Sequence, residues 1–162
     1  MTKQSKLWSC VLALSLIIIA SACQQGEDLI NPPTAEEILA DNPWVYTAHT
    51  IEPGIIQDSL FITDLYLQLD SCDQDNIYSF SSTGAFTFEE GDIRCAANSE
   101  QIIDNGAWAV NSDETELLLN FADLNDETYE ISELDRNQMI LLRKYTLGSD
   151  NYVETLTFDA VE

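Results

Sequence analysis

Four oxygen-bearing side chains are concentrated in one short segment, at Asp70, Asp73, Asp75 and Asn76. A calcium loop needs about six oxygen ligands, and it uses a glycine for the turn and a distal bidentate glutamate. No glycine follows these residues at the required offset, and Cys72 lies inside the segment. The spacing therefore favours a structural turn over a calcium site.

A second group of carboxylates, Glu89, Glu90 and Asp92, could perform acid–base chemistry. Two carboxyl groups held roughly 5 to 9 Å apart can hydrolyse a glycosidic bond. Because the chain has 29 acidic residues, some pair will have that separation in almost any fold. We expect these three side chains at the solvated end of a hairpin, and an acid-pair hydrolase is the least favoured function.

The single histidine, His49, lies in a strand-like run that begins at Trp44. A Ser-His-Asp site needs a nucleophile beside the histidine, and the chain contains no Gly-x-Ser-x-Gly turn to supply one. Strict alternation places Trp44 and Tyr46 on one face of the strand and His49 on the other. We therefore expect His49 on the surface, and the sequence predicts no catalytic residue, no metal site and no cofactor.

Cys23 is preceded by the features of an export signal. Lys3 and Lys6 come before an apolar run at 7–20, and small residues at 20–22 stand immediately before the cysteine. That order is typical of a secretory signal peptide that is removed from the mature chain. A cysteine at the first mature position resembles the lipobox of bacterial lipoproteins, in which the thiol receives a diacylglyceryl group. The resemblance implies attachment to a membrane through acyl groups on Cys23.

Two alternatives for this segment stay open. The small residues before Cys23 also suit ordinary signal-peptidase cleavage, which would leave a secreted protein with an exposed, reactive thiol. An uncleaved anchor is disfavoured because the apolar run has about 14 residues, whereas a membrane span needs about 20. We predict an exported outer-membrane lipoprotein that faces either the periplasm or the cell surface.

The mature chain is strongly acidic. Without residues 1–22 it holds four basic residues against 29 acidic ones, a net charge of −25. Such a surface repels phosphate backbones, so nucleic-acid binding is excluded as a function class. The acids alternate with apolar residues along the chain, which argues against a disordered protein.

Two cysteines remain after the signal and Cys23, at Cys72 and Cys95. In an exported protein such a pair favours a disulfide. The bond would close a loop of about 24 residues, worth on the order of 3 kcal/mol. A two-cysteine metal site is the alternative, and it would require further ligands.

The mature chain divides into a spacer and one domain. Residues 23–43 carry the acylated cysteine and a flexible tether, in which 35–40 could form one helical turn outside the core. Residues 44–162 are enough for one domain with its own core and too few for two.

Short runs of alternating apolar residues, separated by turn residues, follow one another through the domain. This pattern predicts an all-β protein with eight strands joined as an antiparallel meander. Closing the sheet into a barrel removes its free edges, and a two-sheet sandwich is the alternative. The stretch 59–69 mixes two periodicities, so a short helix or lid is possible there. The runs are 44–51, 76–80, 85–88, 107–110, 117–121, 129–131, 139–142 and 152–158.

Aromatic residues recur on one face of these strands, where they could form a core or line a pocket for an apolar or sugar-like ligand. In a filled barrel, two of the tryptophans would plug its ends. The set consists of Trp44, Tyr46, Tyr78, Phe80, Phe86, Phe88, Trp108, Tyr129, Tyr152 and Phe158.

Several of these landmarks resemble the lipocalin-like lipoproteins of Bacteroidetes, over about residues 44–160. They are the opening Trp44, the stretch 72–80 from cysteine into an aromatic strand, the second cysteine at 95, and Gly106-Ala107-Trp108. The resemblance implies an eight-stranded, lipocalin-like barrel. We expect a non-enzymatic envelope protein that binds a small apolar molecule or a partner protein. The alternative is a structural or accessory subunit of an outer-membrane complex.

Overall fold

The computed structural model describes residues 31–161, so the signal segment and Cys23 lie outside the described residues. Residues from Pro33 onward form one compact unit. The α-helix of this part, α1, has seven residues (Ala35–Asp41), and no helix in 31–161 has the length and apolar character to span a bilayer.

Nine strands make up a single antiparallel sheet. Its order is β2-β1-β3-β4-β5-β6-β7-β8-β9, and β1 also pairs with β9, which closes eight strands into a barrel and leaves β2 outside. The predicted eight-stranded barrel is confirmed, and the sandwich alternative is wrong. The strands are β1 (Trp44–Gln57), β2 (Leu60–Asp64), β3 (Ile77–Phe80), β4 (Ala85–Glu89), β5 (Ile102–Val110), β6 (Glu116–Phe121), β7 (Glu127–Leu134), β8 (Gln138–Leu147) and β9 (Asp150–Ala160).

The closing pair of strands contains an irregularity that reverses the phase of β1. Tyr46 pairs with Phe158, but the register shifts between Tyr46 and Ala48, so that His49 pairs with Leu156. A β-bulge of this kind places an extra residue in one strand and turns the following side chains to the opposite face. His49 therefore points into the barrel, and the expectation of a surface histidine is wrong.

One end of the barrel is closed by α1. The helix starts with a capping box, in which Thr34 Oγ1 accepts from the Glu37 backbone N–H and the Glu37 side chain accepts from the Thr34 backbone N–H. Leu39 is fully buried, and its carbonyl accepts a 3.0 Å hydrogen bond from Trp44 Nε1. The prediction that this piece lies outside the core is wrong, because Leu39 supplies the apolar contact that covers the end of the barrel.

Both barrel tryptophans lie at this closed end, rather than one at each end as expected. The Trp108 ring packs edge-on against Phe80 with centroids 5.3 Å apart, and its Nε1 donates to the Ser81 carbonyl at 3.0 Å. Trp108 also lines a surface cleft with Glu36 and Glu37 of α1. Below the opposite end, which we call the mouth, buried side chains from α1 and all eight barrel strands form one continuous cluster.

The stretch 59–69, which could not be assigned from periodicity, contains β2 followed by one 3₁₀ turn at Tyr66–Gln68. The Tyr66 ring lies edge-on to Tyr46 with centroids 5.5 Å apart, so this turn reaches the mouth. The β1–β2 hairpin projects beyond the barrel with three apolar side chains exposed, namely Ile56, Leu60 and Phe61.

Cys72 and Cys95 form the predicted disulfide, with their Cα atoms 5.1 Å apart. The bond joins the turn before β3 to the long connection between β4 and β5. It therefore ties together two loops beside the mouth.

Candidate functional site

The interior of the barrel changes from apolar to charged as the strands approach the mouth. Along β8 the inward series runs Met139, Leu141 and then Arg143, and along β9 it runs from Leu156 to Glu154. Because alternate residues of a strand share a face, these charged side chains continue the same inward rows as the apolar core.

Four of the inward side chains form what we call the mouth cluster: His49, Glu127, Arg143 and Glu154. Arg143 donates to Glu154 Oε2 from Nε at 3.0 Å and from Nη2 at 2.6 Å, and from Nη1 to Glu127 Oε1 at 2.9 Å. His49 Nε2 lies 3.1 Å from Glu154 Oε2. Tyr145 Oη donates to Glu154 Oε1 at 2.8 Å, so both oxygens of this carboxylate are occupied.

Glu154 is held in its charged form. Its side chain is only 6% exposed, and burial alone would raise the pKa of the carboxyl. Hydrogen bonds from His49, Tyr145 and Arg143, together with the guanidinium charge, outweigh burial and lower the pKa to about 2. Glu154 is thus a permanent carboxylate at physiological pH and cannot act as a general acid there.

Next to this cluster lies a cavity of about 210 Å³, which we call the mouth pocket. Its lining residues are Tyr46, Leu69, Asp73, Asn76, Tyr78 and Phe88. Tyr78 stacks on Phe88 with centroids 4.6 Å apart and an interplanar angle of 24°. Tyr46 connects the pocket to the mouth cluster, since its ring centroid is 5.9 Å from that of His49.

The polar atoms of the mouth pocket include a group left without a partner. Asn76 is 4% exposed, and within residues 31–161 its amide oxygen Oδ1 accepts no hydrogen bond. A buried unsatisfied acceptor costs about 1–3 kcal/mol, which a bound donor would recover. Burial is the main cause that raises the pKa of Tyr46 and of Tyr78, and neighbouring acidic groups raise it further. Both hydroxyls therefore remain protonated.

The predicted aromatic set divides into three groups. Six residues are buried in the core cluster, three line the mouth pocket, and Tyr152 lies beyond the mouth, stacked on Tyr145 with centroids 5.6 Å apart. The buried six are Trp44, Phe80, Phe86, Trp108, Tyr129 and Phe158. The set is therefore mostly core, and only its mouth-proximal part is available to a ligand.

The segment with Asp70, Asp73 and Asp75 forms the turn into β3. The Asp73 backbone N–H donates to the Asp70 carbonyl at 2.9 Å, and Asp75 Oδ2 accepts from the Ile93 backbone N–H at 2.8 Å. In the described part of the chain, the single cluster of three metal-type donors consists of Asp73 with Cys72 and Cys95, whose sulfurs are bonded to each other. The Asp75 carboxylate thus ties the turn before β3 to the connection between β4 and β5.

Glu90 and Asp92, near the end of β4, lie in different surroundings. Glu90 continues the inward row after Phe86 and Phe88, and it is 5% exposed, contrary to the expected solvated position. Its Oε2 accepts from Ser99 Oγ at 2.7 Å, and its backbone N–H donates to the Gln101 carbonyl at 2.9 Å. Glu90 thus fixes the β4–β5 connection, while Asp92 is exposed.

The sequence alone did not predict the mouth cluster, because a charged residue considered by itself is normally assigned to the solvent-facing side of a strand. The signal that could have found them is phase: Arg143 lies two residues beyond Leu141, and Glu154 two residues before Leu156. Charges that continue an apolar row inward predict an interior ion pair. His49 could not have been placed in this way, since the bulge in β1 leaves no mark in the alternation.

No protein-family model matches this chain, and no curated protein matches it either.

Proposed function

We propose that this protein is a lipid-anchored, non-enzymatic, lipocalin-like module of the bacterial outer membrane, which binds a small molecule at the mouth of its barrel. The observation that supports the proposal best is the mouth pocket, which is lined by three aromatic side chains and by Asn76, whose amide oxygen accepts no hydrogen bond within residues 31–161. Apolar walls with few polar groups are the usual composition of a ligand site.

The packing of the barrel limits where such a ligand fits. Below the mouth, the side chains of the core cluster fill the interior from α1 to Leu156, so they leave no room there for a deep ligand cavity. The pocket volume of about 210 Å³ lies under the range of roughly 300–1,000 Å³ that is usual for drug-sized ligands. The ligand is therefore small, or only part of it enters.

The position of α1 bears on how the proposed anchor presents this site. The described chain enters at the closed end, and the ten peptide links from Cys23 to Pro33 reach at most about 35 Å. An acylated Cys23 would thus tend to keep the closed end near the membrane. The mouth would face away from the membrane, where a ligand has access to it.

Native mass spectrometry of the protein purified from its own envelope tests the proposal. We expect a retained small mass that is lost on denaturation, and an N-terminal fragment that carries acyl chains on Cys23. The intact-mass measurement separates the two parts of the proposal. An unmodified Cys23 would contradict the lipid anchor, and a folded protein that retains no small mass would contradict the small-molecule function.

A second function, docking of a partner protein within the envelope, is favoured by the β1–β2 hairpin. Ile56 is 78% exposed and Phe61 is 71% exposed, and large apolar side chains grouped in this way are typical of contact surfaces. Crosslinking in intact cells is expected to recover a partner with the wild-type chain and not with Phe61→Ser. Leu124→Ser, at a residue that is 55% exposed elsewhere, is the matched control.

A further inference from the structure

The ionised groups of the mouth cluster, taken together with that of the pocket lining, have a negative net charge. Within the mouth cluster, Glu127 and Glu154 accept hydrogen bonds from all three guanidinium nitrogens of Arg143. Asp73 adds a further carboxylate to the pocket lining. Leaving His49 aside, Arg143, the two glutamates and Asp73 carry a net charge of −2.

The other basic side chains in 31–161 are engaged elsewhere. Arg136 pairs with Asp41, and Lys144 pairs with Glu130. Arg94 donates to the Ser99 carbonyl and to the side chain of Gln101. An anionic ligand would therefore enter the pocket without a free cation to receive it, and leaving a charge unpaired in a half-buried site is costly.

The walls of the pocket suit the opposite charge. The faces of aromatic rings carry negative potential, which attracts a cation that lies within about 6 Å of the ring centroid. Tyr46, Tyr78 and Phe88 supply three rings around a cavity of about 210 Å³. In the described part of the chain the buried Asn76 Oδ1 accepts no hydrogen bond, so it would accept one from an N–H donor of a ligand.

We infer that the mouth pocket selects a small, ring-bearing organic cation, whose ammonium group lies among Tyr46, Asp73 and Asn76 while its ring packs on Tyr78 and Phe88. This rests on the proposed small-molecule function and narrows it to one ligand class. A fatty carboxylate is excluded as the preferred ligand by the same charges.

Three probes of nearly equal size and different charge test the selection: benzylammonium, benzyl alcohol and benzoate. Saturation-transfer-difference NMR is recorded on the envelope-purified protein in a nonionic detergent, with a micelle-only titration subtracted. We expect benzylammonium to bind at least tenfold more tightly than benzoate, with benzyl alcohol between them. Benzoate binding as tightly as benzylammonium, or no saturable signal from any probe, overturns the inference.

Two variants, each of which replaces an aspartate by asparagine, test whether the preference for a cation arises at the mouth pocket. Asp73→Asn is expected to weaken benzylammonium about three- to fivefold and to leave benzyl alcohol unchanged, as for loss of one partly exposed charge partner. Asp70→Asn, an exposed residue of the same turn that does not line the pocket, should change neither. Equal effects of the two variants overturn the assignment to this pocket.

The failure of this inference is distinguishable from failure of the proposed function. If the mass retained by the envelope-purified protein proves to be an anion or an uncharged lipid, the small-molecule function stands and the cation class is wrong. If no mass is retained and no probe binds, both are wrong.

Discussion

His49 Nε2 lies 3.1 Å from Glu154 Oε2 inside the barrel, although the two residues are 105 positions apart and the histidine is out of phase with the start of its strand. The contact exists because the bulge between Tyr46 and Ala48 turns the rest of β1 by one side-chain position. Arg143 donates to the same carboxylate oxygen. The bulge therefore brings a second side chain, beside Arg143, into contact with the buried Glu154 Oε2.

Replacing Glu154 by glutamine should destabilise the protein in a pH-dependent way. The folded-state pKa of about 2 is below the ordinary glutamate pKa of 4.5, so the charged form contributes stability above about pH 4.5. That contribution, on the order of 3 kcal/mol, should disappear as the pH falls from about 4.5 towards 2. Urea unfolding of wild type and Glu154→Gln at pH 7 and pH 3 measures the difference, which we expect to shrink at the lower pH.

The control for this change is Glu130→Gln, which removes an exposed carboxylate paired with Lys144. An exposed pair contributes about 0–1 kcal/mol, so this variant should stay close to wild type at both pH values. A loss of stability in Glu154→Gln that is the same at pH 7 and pH 3 would contradict the assigned role of the charge.

Truncating Leu39 to alanine should show that α1 belongs to the folded domain. Leu39 is fully buried in the core cluster, and removing such a side chain costs about 2–5 kcal/mol. Leu124→Ala, at a 55% exposed position, is the matched control and should cost little. Thermal unfolding compares the two, and equal midpoints would mean that the helix only rests on the barrel.

The barrel itself follows from the sequence, because each of its eight strands contains a short apolar run and turn residues separate these runs. The closed end could not be predicted in this way, because the proline-flanked stretch 33–43 has the composition of a linker. It belongs to the core through tertiary contacts such as that between Leu39 and Trp44. Likewise, Glu90 reads as one of many surface acids until Ser99 is brought beside it by the fold. Local pattern thus predicts strands, whereas buried polar contacts depend on pairing between distant segments.

Removing the disulfide should weaken the protein and loosen its mouth. Cys72 and Cys95 are separated by 23 positions, and the double change to serine should cost on the order of 3 kcal/mol through loop entropy. Because the bond holds the turn that carries Asp73 and Asn76, binding at the mouth pocket should weaken as well. Chemical unfolding of the variant and of the reduced wild type should give matching losses. An unchanged midpoint in both would show that the two loops are held by other contacts.

Replacing Phe88 by leucine should separate ligand binding from folding. Phe88 forms one wall of the mouth pocket by stacking on Tyr78, and the change removes that aromatic face while keeping an apolar side chain. Phe121→Leu is the matched control, because Phe121 is also half-buried and packs on Phe86 without lining the pocket. Each change should cost about 1–2 kcal/mol in unfolding free energy. Only Phe88→Leu is expected to lose the small mass that we predict for native mass spectrometry, because Phe121→Leu leaves the walls of the mouth pocket in place. Loss of the mass in both variants would instead place the ligand deeper in the barrel, and retention in both would place it away from the mouth.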